Sequence, residues 1–164
     1  DDIKIRDSKR MSELQREKSY KYITEHCKAF ASAYIDNEEI DKIGIGKANK
    51  RVLHMALDKL SKYNFEEILV DGVVFDPYVK KGGELVESQC IPKGDDNVLE
   101  ISCASIVAKY ERDEYINKLC EDNEELEKYG IKYNKGYGTY VHFAGISKYG
   151  LTKWHRRSFL KNYL

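Results

Sequence analysis

An apolar segment, a helix-forming segment and a second apolar segment follow one another closely, and this order constrains the fold more than any other feature. AFASAYI (29–35) is short, apolar and aromatic, which is typical of a β-strand. GKANKRVLHMALDKLSKY (46–63) repeats apolar residues at helical spacing, and FEEILV (65–70) ends in an unbroken apolar run. Strand, helix and strand with short connections predict a parallel βαβ unit, and therefore an α/β protein.

Further elements follow from local patterns along the rest of the chain. Ser12 to Gln15 fits a capping box at the start of the helix ELQREKSYKYITEHC (13–27). ELVESQCI (84–91) predicts another strand, and residues 102–129 predict one long helix because no Gly or Pro interrupts them. YVHFAGISKYG (140–150) predicts a short helix. Since no linker or repeat is visible, we predict a single domain over residues 1–164.

Charge is unevenly distributed along the chain, although the formal net charge is zero. Residues 128–164, the C-terminal extension, contain eight Lys or Arg, nine aromatic residues and no Asp or Glu. Residues 1–127 therefore hold all 28 acidic residues against 20 basic ones. A positive field attracts polyanions, and aromatic rings among the bases suit stacking on nucleobases or sugars. Composition leaves two interpretations open: a nucleic-acid-binding extension, or a basic surface helix whose tyrosines fill a core edge.

Two aspartates stand out by their positions. Asp71 directly follows the apolar run in ILVDG, and ligands gather at the carboxyl ends of strands in open α/β sheets. Asp-Gly is also a common turn dipeptide, so this position alone favours a turn. Asp113 lies mid-helix on the side that carries Ile106 and Ile116, although a solvated charged face is the simpler interpretation. Neither residue is decisive by itself.

Six motifs occur in one order along the chain. They are DSKRMSELQRE (7–17), ILVDG (68–72), PKGD (92–95), EISCASIVAKYERD (100–113), KGYGT (135–139) and HRRSF (155–159). This set closely resembles ribonuclease HII, the type 2 ribonuclease H family, in its bacterial form. The resemblance implies a ribonuclease H-like fold, with a mixed sheet flanked by helices, and makes the C-terminal extension a helical and loop segment that binds substrate.

The resemblance also implies an activity and its residues. Family members cleave the RNA strand of RNA–DNA hybrids, and cleave 5′ of ribonucleotides embedded in duplex DNA, with Mg²⁺ or Mn²⁺ in a two-metal site. Such a site activates water and neutralises phosphate charge, and hard cations prefer carboxylates. Asp71 and Asp113 match two of the four family metal ligands and are the predicted catalytic residues, while Tyr137 would sense the ribose 2′-hydroxyl. The predicted substrate-binding residues are Ser8, Lys9, Lys93, Lys135, Tyr137, His155, Arg156 and Arg157.

One departure from the family pattern concerns the N-terminus. The family motif DE-x-GRG, which carries the other two carboxylates, does not occur in DDIKIRDSK (1–9). We therefore expect a fragment that lacks the opening strands and binds metal weakly, or alternatively a catalytically inactive nucleic-acid-binding module of the same ancestry. A third hypothesis is an α/β domain whose basic extension binds an acidic protein.

Neither a membrane helix nor a signal peptide is visible in the sequence. We expect a cytoplasmic protein that does not bind membranes. We further expect a monomer, or a chain paired with another that supplies the missing strands.

Overall fold

The computed structural model describes residue 5 and residues 8–161 of the 164-residue chain. In the described part the strands are β1 (Glu67–Asp71), β2 (Tyr78–Val79) and β3 (Leu85–Ile91). The α-helices are α1 (Glu13–His26), α2 (Asn37–Ile43), α3 (Ile45–Leu60), α4 (Gly94–Asn97), α5 (Leu99–Asp122), α6 (Ile131–Asn134) and α7 (Tyr140–Tyr149). Short 3₁₀ helices cover Ser8–Arg10, Glu124–Tyr129 and Arg157–Phe159.

The chain divides into two compact units. Unit 1 comprises Asp1–Tyr34 and Asn49–Tyr110, and unit 2 comprises Ile35–Ala48 and Glu111–Leu164. The C-terminal extension therefore lies within unit 2. Helix α5 is continuous and contributes residues to both units.

Unit 1 contains a mixed three-stranded sheet with the strand order β1-β3-β2. β1 pairs in parallel with β3, and β2 and β3 form an antiparallel hairpin. Alternation along β1 buries Ile68 and Val70, which form a core with Tyr78 and Val86, and Leu57 of α3 packs against this core. The predicted strands at 65–70 and 84–91 are confirmed within two residues at each end.

A second core in unit 1 joins α1 to the first half of α5 through Met11, Ile23, Ile106 and Val107. The predicted capping box is confirmed, since the Ser12 side chain accepts from the backbone of Gln15 and the Gln15 side chain accepts from the backbone N–H of Ser12. These contacts fix where α1 begins.

The predicted strand AFASAYI (29–35) is wrong, because residues 29–34 of unit 1 have no regular secondary structure and pair with no strand in the described residues. The parallel pair of the sheet is β1 with β3 and not 29–35 with β1. The Ser32 carbonyl accepts a 2.6 Å hydrogen bond from Lys59 Nζ on α3, so a side chain takes the place of a strand partner here. Phe30 and Tyr34 remain 42% and 71% exposed.

The predicted single helix over 102–129 is also corrected, since α5 ends at Asp122 and a 3₁₀ helix, Glu124–Tyr129, follows. Asn123 separates the two with a non-helical backbone (φ −140°, ψ 82°), and its side-chain amide donates to the Leu119 carbonyl at 2.9 Å. An Asn side chain that bonds the preceding turn competes with helix continuation, which explains the break.

Unit 2 has its own core, formed by Leu126, Tyr129, Ile131, Ile146 and Leu160. The predicted helix at 140–150 is confirmed as α7, whereas α2 was not predicted.

Close packing brings α7 onto the 3₁₀ helix Glu124–Tyr129 in this core. A Cβ atom added to Gly145 would lie 2.7 Å from the Lys128 carbonyl oxygen and 2.9 Å from Tyr129 Cδ1. The helix can approach this closely only because position 145 carries no side chain.

None of the helices in the described residues combines the length and the apolar character that crossing a bilayer requires.

Candidate functional site

Asp71 is the last residue of β1 and is exposed. The backbone N–H of Gly94 donates a 2.9 Å hydrogen bond to Asp71 Oδ1. Lys93 precedes α4 in the left-handed region (φ 56°), a conformation that costs a non-glycine residue energy and marks a constrained turn. This turn aims the N–H of Gly94 at the carboxylate and so fixes one of its oxygens.

Lys9 and Asp95 join the N-terminal motif DSK to the motif PKGD. Lys9 Nζ lies 3.0 Å from Asp95 Oδ2, and the Lys9 side chain is 75% exposed while that of Asp95 is 9% exposed. The Ser102 hydroxyl donates to the Asp95 carbonyl at 2.6 Å, which ties α4 to α5. The start of α4 is therefore contacted by Asp71 from the sheet and by Lys9 from the N-terminal segment.

Ser8 is 3% exposed and lies inside unit 1. Its Oγ atom is 2.8 Å from Oγ of Ser105 on α5. Arg16 Nη2 donates to the carbonyl oxygens of Ser8 and Met11 at 3.2 and 3.1 Å. Burial of the Ser8 hydroxyl favours a role in anchoring the segment that carries Lys9.

In unit 2, Asp113 on α5 is 7% exposed. Arg112 connects it to the motif KGYGT. Arg112 Nη1 lies 3.7 Å from Asp113 Oδ1, its Nη2 donates to the Lys135 carbonyl at 2.8 Å, and its guanidinium carbon is 5.1 Å from the centroid of the Tyr137 ring. A carboxylate, a guanidinium and a tyrosine are thus in series, with cation–π attraction supporting the last contact.

The turn that carries Tyr137 is built from local hydrogen bonds. The Gly136 N–H donates to Asn134 Oδ1 at 2.8 Å, and Lys135 and Gly136 both have positive φ, 51° and 79°. Lys135 is 9% exposed, and its ammonium donates to Asn117 Oδ1 on α5. Tyr137 is 57% exposed, so the turn presents the tyrosine and directs the lysine inward.

His155, the first residue of HRRSF, is 6% exposed. Its ring centroid is 4.8 Å from that of Tyr129 and 5.2 Å from that of His142. Burial, and secondarily the nearby His142, lower the pKa of His155 below its ordinary value. This residue packs inside unit 2, so its burial does not favour direct contact with a substrate.

Arg156 and Arg157 are placed differently from each other. Burial and the nearby Arg112 lower the pKa of Arg156, whose guanidinium carbon lies 4.1 Å from the centroid of the Phe159 ring. The Arg157 side chain is exposed, and its backbone N–H donates to Asp41 Oδ2 at 2.7 Å.

Asp41 on α2 holds the HRRSF segment in place. Its Oδ1 accepts from the backbone N–H and the hydroxyl of Ser158, at 3.0 and 2.5 Å. Burial works to raise the pKa of the Asp41 carboxyl, but the hydrogen bonds from Ser158 and Arg157 outweigh it and lower this pKa.

Four residues were not singled out by sequence reasoning. Asp95, Ser105 and Arg112 lie inside the quoted motifs, which were the available signal. No sequence signal indicated Asp41, because α2 was not predicted and its partner Ser158 is 117 positions away.

Two further tyrosines, Tyr133 and Tyr140, flank the Tyr137 turn and are each 87% exposed.

The two predicted metal ligands suit a divalent cation in the type of their donor atoms but not in their number. Asp71 and Asp113 provide hard carboxylate oxygens, which suit Mg²⁺ or Mn²⁺. Within residue 5 and residues 8–161, however, no group of three or more His, Cys, Asp or Glu side chains could hold a metal ion. Carboxylate oxygens are therefore suitable donors for Mg²⁺ or Mn²⁺. The described residues do not, however, bring together enough of these donors to hold the cation by themselves.

Comparisons with known proteins agree with one another. The family model "Ribonuclease HII" matches residues 1–162. Ribonuclease HII of Christiangramia forsetii is 39% identical over 155 residues, covering 94% of this chain and 74% of that protein. Ribonuclease HII of Coxiella burnetii is 40% identical over 157 residues, covering 94% of this chain and 72% of that protein.

A solved structure supports the same assignment at the level of the fold. The crystal structure of ribonuclease H2 from Pyrococcus horikoshii OT3 matches with a TM-score of 0.69 at 25% identity, covering 95% of this chain and 77% of that chain. The prediction of a ribonuclease H-like α/β fold is thereby confirmed.

Proposed function

Because this chain belongs to the ribonuclease HII family, a family of endonucleases, we propose that it acts on ribonucleotides paired with DNA. The proposed reactions are cleavage of the RNA strand in RNA–DNA hybrids and cleavage 5′ of a ribonucleotide embedded in duplex DNA. The proposal includes dependence on Mg²⁺ or Mn²⁺, a cytoplasmic location and a monomeric state.

The observation that carries the proposal is the connection of Asp113 through Arg112 to Tyr137. A buried carboxylate next to a guanidinium suits a position where a phosphate and its metal are bound, since the opposite charges lie close together. The exposed Tyr137 ring suits packing on a sugar, and its hydroxyl can hydrogen-bond the 2′-hydroxyl, the group that distinguishes RNA from DNA.

Exposed charge in unit 2 supports contact with a phosphate backbone. The Arg157 side chain is exposed, and Arg156 is half-buried beside Arg112. Arg112 lies on α5, and Asp41 binds the segment that carries Arg156 and Arg157. The extension, which carries Arg156 and Arg157, contains no Asp or Glu of its own, while Asp113 lies beside Arg112. Guanidinium groups bind phosphate through several donors in a fixed plane, which suits this role.

In unit 1, the structure of α4 supports a role in positioning. Gly94 orients Asp71, and Lys9 is held by Asp95 with its side chain largely exposed. We propose that Lys9 and Lys93 contact phosphates. Asp71 and Asp113 would be metal ligands, and a bound divalent cation would supply activation of water and stabilisation of charge on the phosphate.

The test compares three substrates and three variants. An RNA–DNA hybrid and a DNA duplex with one ribonucleotide should be cleaved in Mg²⁺ or Mn²⁺, whereas an all-DNA duplex should not. Asp71→Asn and Asp113→Asn should each reduce cleavage at least about 100-fold, because even changes to residues that only support metal ligands cost 10- to 100-fold. The exposed Asp96 provides a matched control, Asp96→Asn, that should cleave normally. Normal cleavage by both active-site variants would contradict the assignment.

A second candidate function is supported by the number of metal ligands. Since the described residues contain no group of three potential ligands, the chain suits a nucleic-acid-binding module that does not cleave. Binding of hybrid by the wild-type chain without cleavage in either metal would favour this second function.

A further inference from the structure

The proposed function assigns no role to two buried histidines in unit 2. His142 on α7 and His155 are 8% and 6% exposed, and their ring centroids are 5.2 Å apart. The Nδ1 atom of each ring has a hydrogen-bond partner. The Nε2 atom of each is buried and has no partner among the described residues.

The Nδ1 partners fix opposite tautomers in the two rings. His142 Nδ1 lies 2.9 Å from the Tyr137 carbonyl oxygen, which only accepts, so this nitrogen carries the proton and Nε2 has a lone pair. The Thr152 backbone N–H donates to His155 Nδ1 at 3.0 Å, and the Thr152 hydroxyl lies 2.9 Å from the same nitrogen. Neutral His155 therefore carries its proton on Nε2. One ring offers a buried acceptor and the other a buried donor.

We propose that His142 and His155 form a neutral relay of fixed tautomers that positions the backbone of Tyr137. The donor Nε2–H of His155 and the acceptor Nε2 of His142 are joined through one buried water, since neither atom bonds a described residue directly. Buried polar atoms are nearly always hydrogen-bonded, and a single water needs only two to four polar partners. The relay runs from the Thr152 N–H to the Tyr137 carbonyl, and both histidines are positioning residues.

The relay requires both rings to be neutral. A proton added to His155 Nδ1 would oppose the Thr152 N–H, and one added to His142 Nε2 would remove the acceptor on which the other end of the relay depends. Besides His142, the groups that face His155 are Tyr129 and the Glu125 carboxylate, both on the 3₁₀ helix Glu124–Tyr129. Glu125 favours the charged form of His155, but burial and His142 oppose it more strongly.

Acid should therefore open the relay. Because the folded-state pKa of His155 lies below the ordinary value of about 6.5, the unfolded chain binds the proton more readily. The contribution of His155 to stability is fully present above that ordinary value, and is lost as the pH falls through the lower folded-state pKa.

Nitrogen-15 spectra of the imidazoles test the relay without any substrate. At neutral pH we expect His142 with its proton on Nδ1 and His155 with its proton on Nε2. The same tautomer in both rings, or a charged ring at pH 7, would overturn the proposal. This measurement uses the wild-type chain and so does not depend on whether a variant folds.

Variants at position 142 test the effect on Tyr137, a step that rests on the proposed function. His142→Asn retains a donor near the place of Nδ1, whereas His142→Gln places its amide near Nε2 and removes that donor. We expect His142→Gln to weaken binding of the ribonucleotide duplex about fivefold to tenfold, the effect of one hydrogen bond, and His142→Asn to bind normally. Equal binding by the two folded variants would contradict the positioning role.

The two sets of results separate failure of the relay from failure of the proposed function. If the wild-type chain neither binds nor cleaves ribonucleotide substrates, the proposed function fails while the spectra still decide the relay. If the spectra show the wrong tautomers and cleavage is normal, only the relay fails.

Discussion

The backbone N–H of Gly94 donates to Asp71 Oδ1 at 2.9 Å, and no side chain fits at Gly94 without displacing its surroundings. A Cβ atom there would lie 2.5 Å from Cδ1 of Ile101, a residue that is 5% exposed. The orientation of the strand-end carboxylate therefore depends on a backbone position where any side chain would displace the buried Ile101 side chain.

Gly94→Ala should both destabilise unit 1 and impair cleavage. Overpacking of this kind costs about 1–3 kcal/mol, and movement of the Gly94 N–H would release Asp71 Oδ1. Urea unfolding and Mg²⁺-dependent cleavage measure the two effects. Gly82→Ala is the matched control, because a Cβ atom at Gly82 meets nothing within 4 Å. If both alanine variants behave alike, the hydrogen bond does not orient Asp71.

Ser8 and Ser105 should be coupled in stability. Removing one hydroxyl leaves its partner, buried Ser8 or half-buried Ser105, without this 2.8 Å contact, so each single Ser→Ala variant should cost about 1–2 kcal/mol. The double variant should cost less than the sum, because no hydroxyl is then left unpaired. A double-mutant cycle by chemical denaturation measures the coupling. Additive costs would show that the two hydroxyls act independently.

Tyr137→Phe should selectively weaken recognition of the ribose. The ring and its contact with Arg112 remain, but the hydroxyl proposed to bond the 2′-hydroxyl is lost. We expect about a threefold to tenfold loss of cleavage of a duplex with one ribonucleotide, which corresponds to one hydrogen bond. Tyr133→Phe, at an 87% exposed position near the same turn, should cleave normally. Equal rates for the two variants would remove Tyr137 from ribose recognition.

Neutralising the arginines of HRRSF should make binding less sensitive to salt. Each lost phosphate contact should reduce the slope of log K against log salt by about 0.9, because fewer counterions are released. Arg156→Gln, Arg157→Gln and the double variant can be compared by titrations of hybrid at several salt concentrations. Lys81→Gln removes an exposed charge from the hairpin turn and should leave the slope unchanged. An unchanged slope in the double variant would mean that these arginines pair with acidic groups of the protein.

The stabilising effect of Asp41 should depend on pH. Because hydrogen bonds from Ser158 and Arg157 lower its folded-state pKa despite the opposing effect of burial, the unfolded chain binds this proton more readily. Its contribution is present above an unfolded pKa of about 4 and is lost as the pH falls through the lower folded pKa.

The measurement is the difference in unfolding free energy between the wild type and Asp41→Asn across this pH range. We expect the difference to be constant near neutral pH and to shrink in acid. Asp122→Asn, at an exposed position, should show no such trend. A difference that stays constant down to about pH 2 would show that the carboxylate charge contributes nothing.

Local patterns predicted the elements whose determinants are local. The capping box at Ser12 and the apolar run at the end of FEEILV lie within a few residues of the structure they specify. AFASAYI has the composition of a strand, but a strand also needs an edge to pair with, and Lys59 binds the Ser32 carbonyl instead. Composition carries no information about that partner.

In the candidate site, too, the sequence predicted some features and not others. Motif resemblance identified Asp71, Asp113 and Tyr137 as single positions, while the contacts that orient them were not predicted. The bond between Asp71 and Gly94 spans 23 positions, and that between Asp41 and Ser158 spans 117. Such contacts depend on how elements pack, which a single sequence does not encode in any short pattern. The approach of Asp71 to Asp113 at a shared metal stays a prediction.

Position 145 provides a criterion for deciding which other sequences share the packing of unit 2. The Lys128 carbonyl oxygen and Tyr129 leave no room for a Cβ atom there, so even alanine would displace the backbone of the 3₁₀ helix. Tyr129 in turn contacts His155, so such a displacement would reach the histidine pair. A sequence that carries any residue other than glycine at the equivalent of position 145 must therefore hold α7 and the 3₁₀ helix Glu124–Tyr129 farther apart.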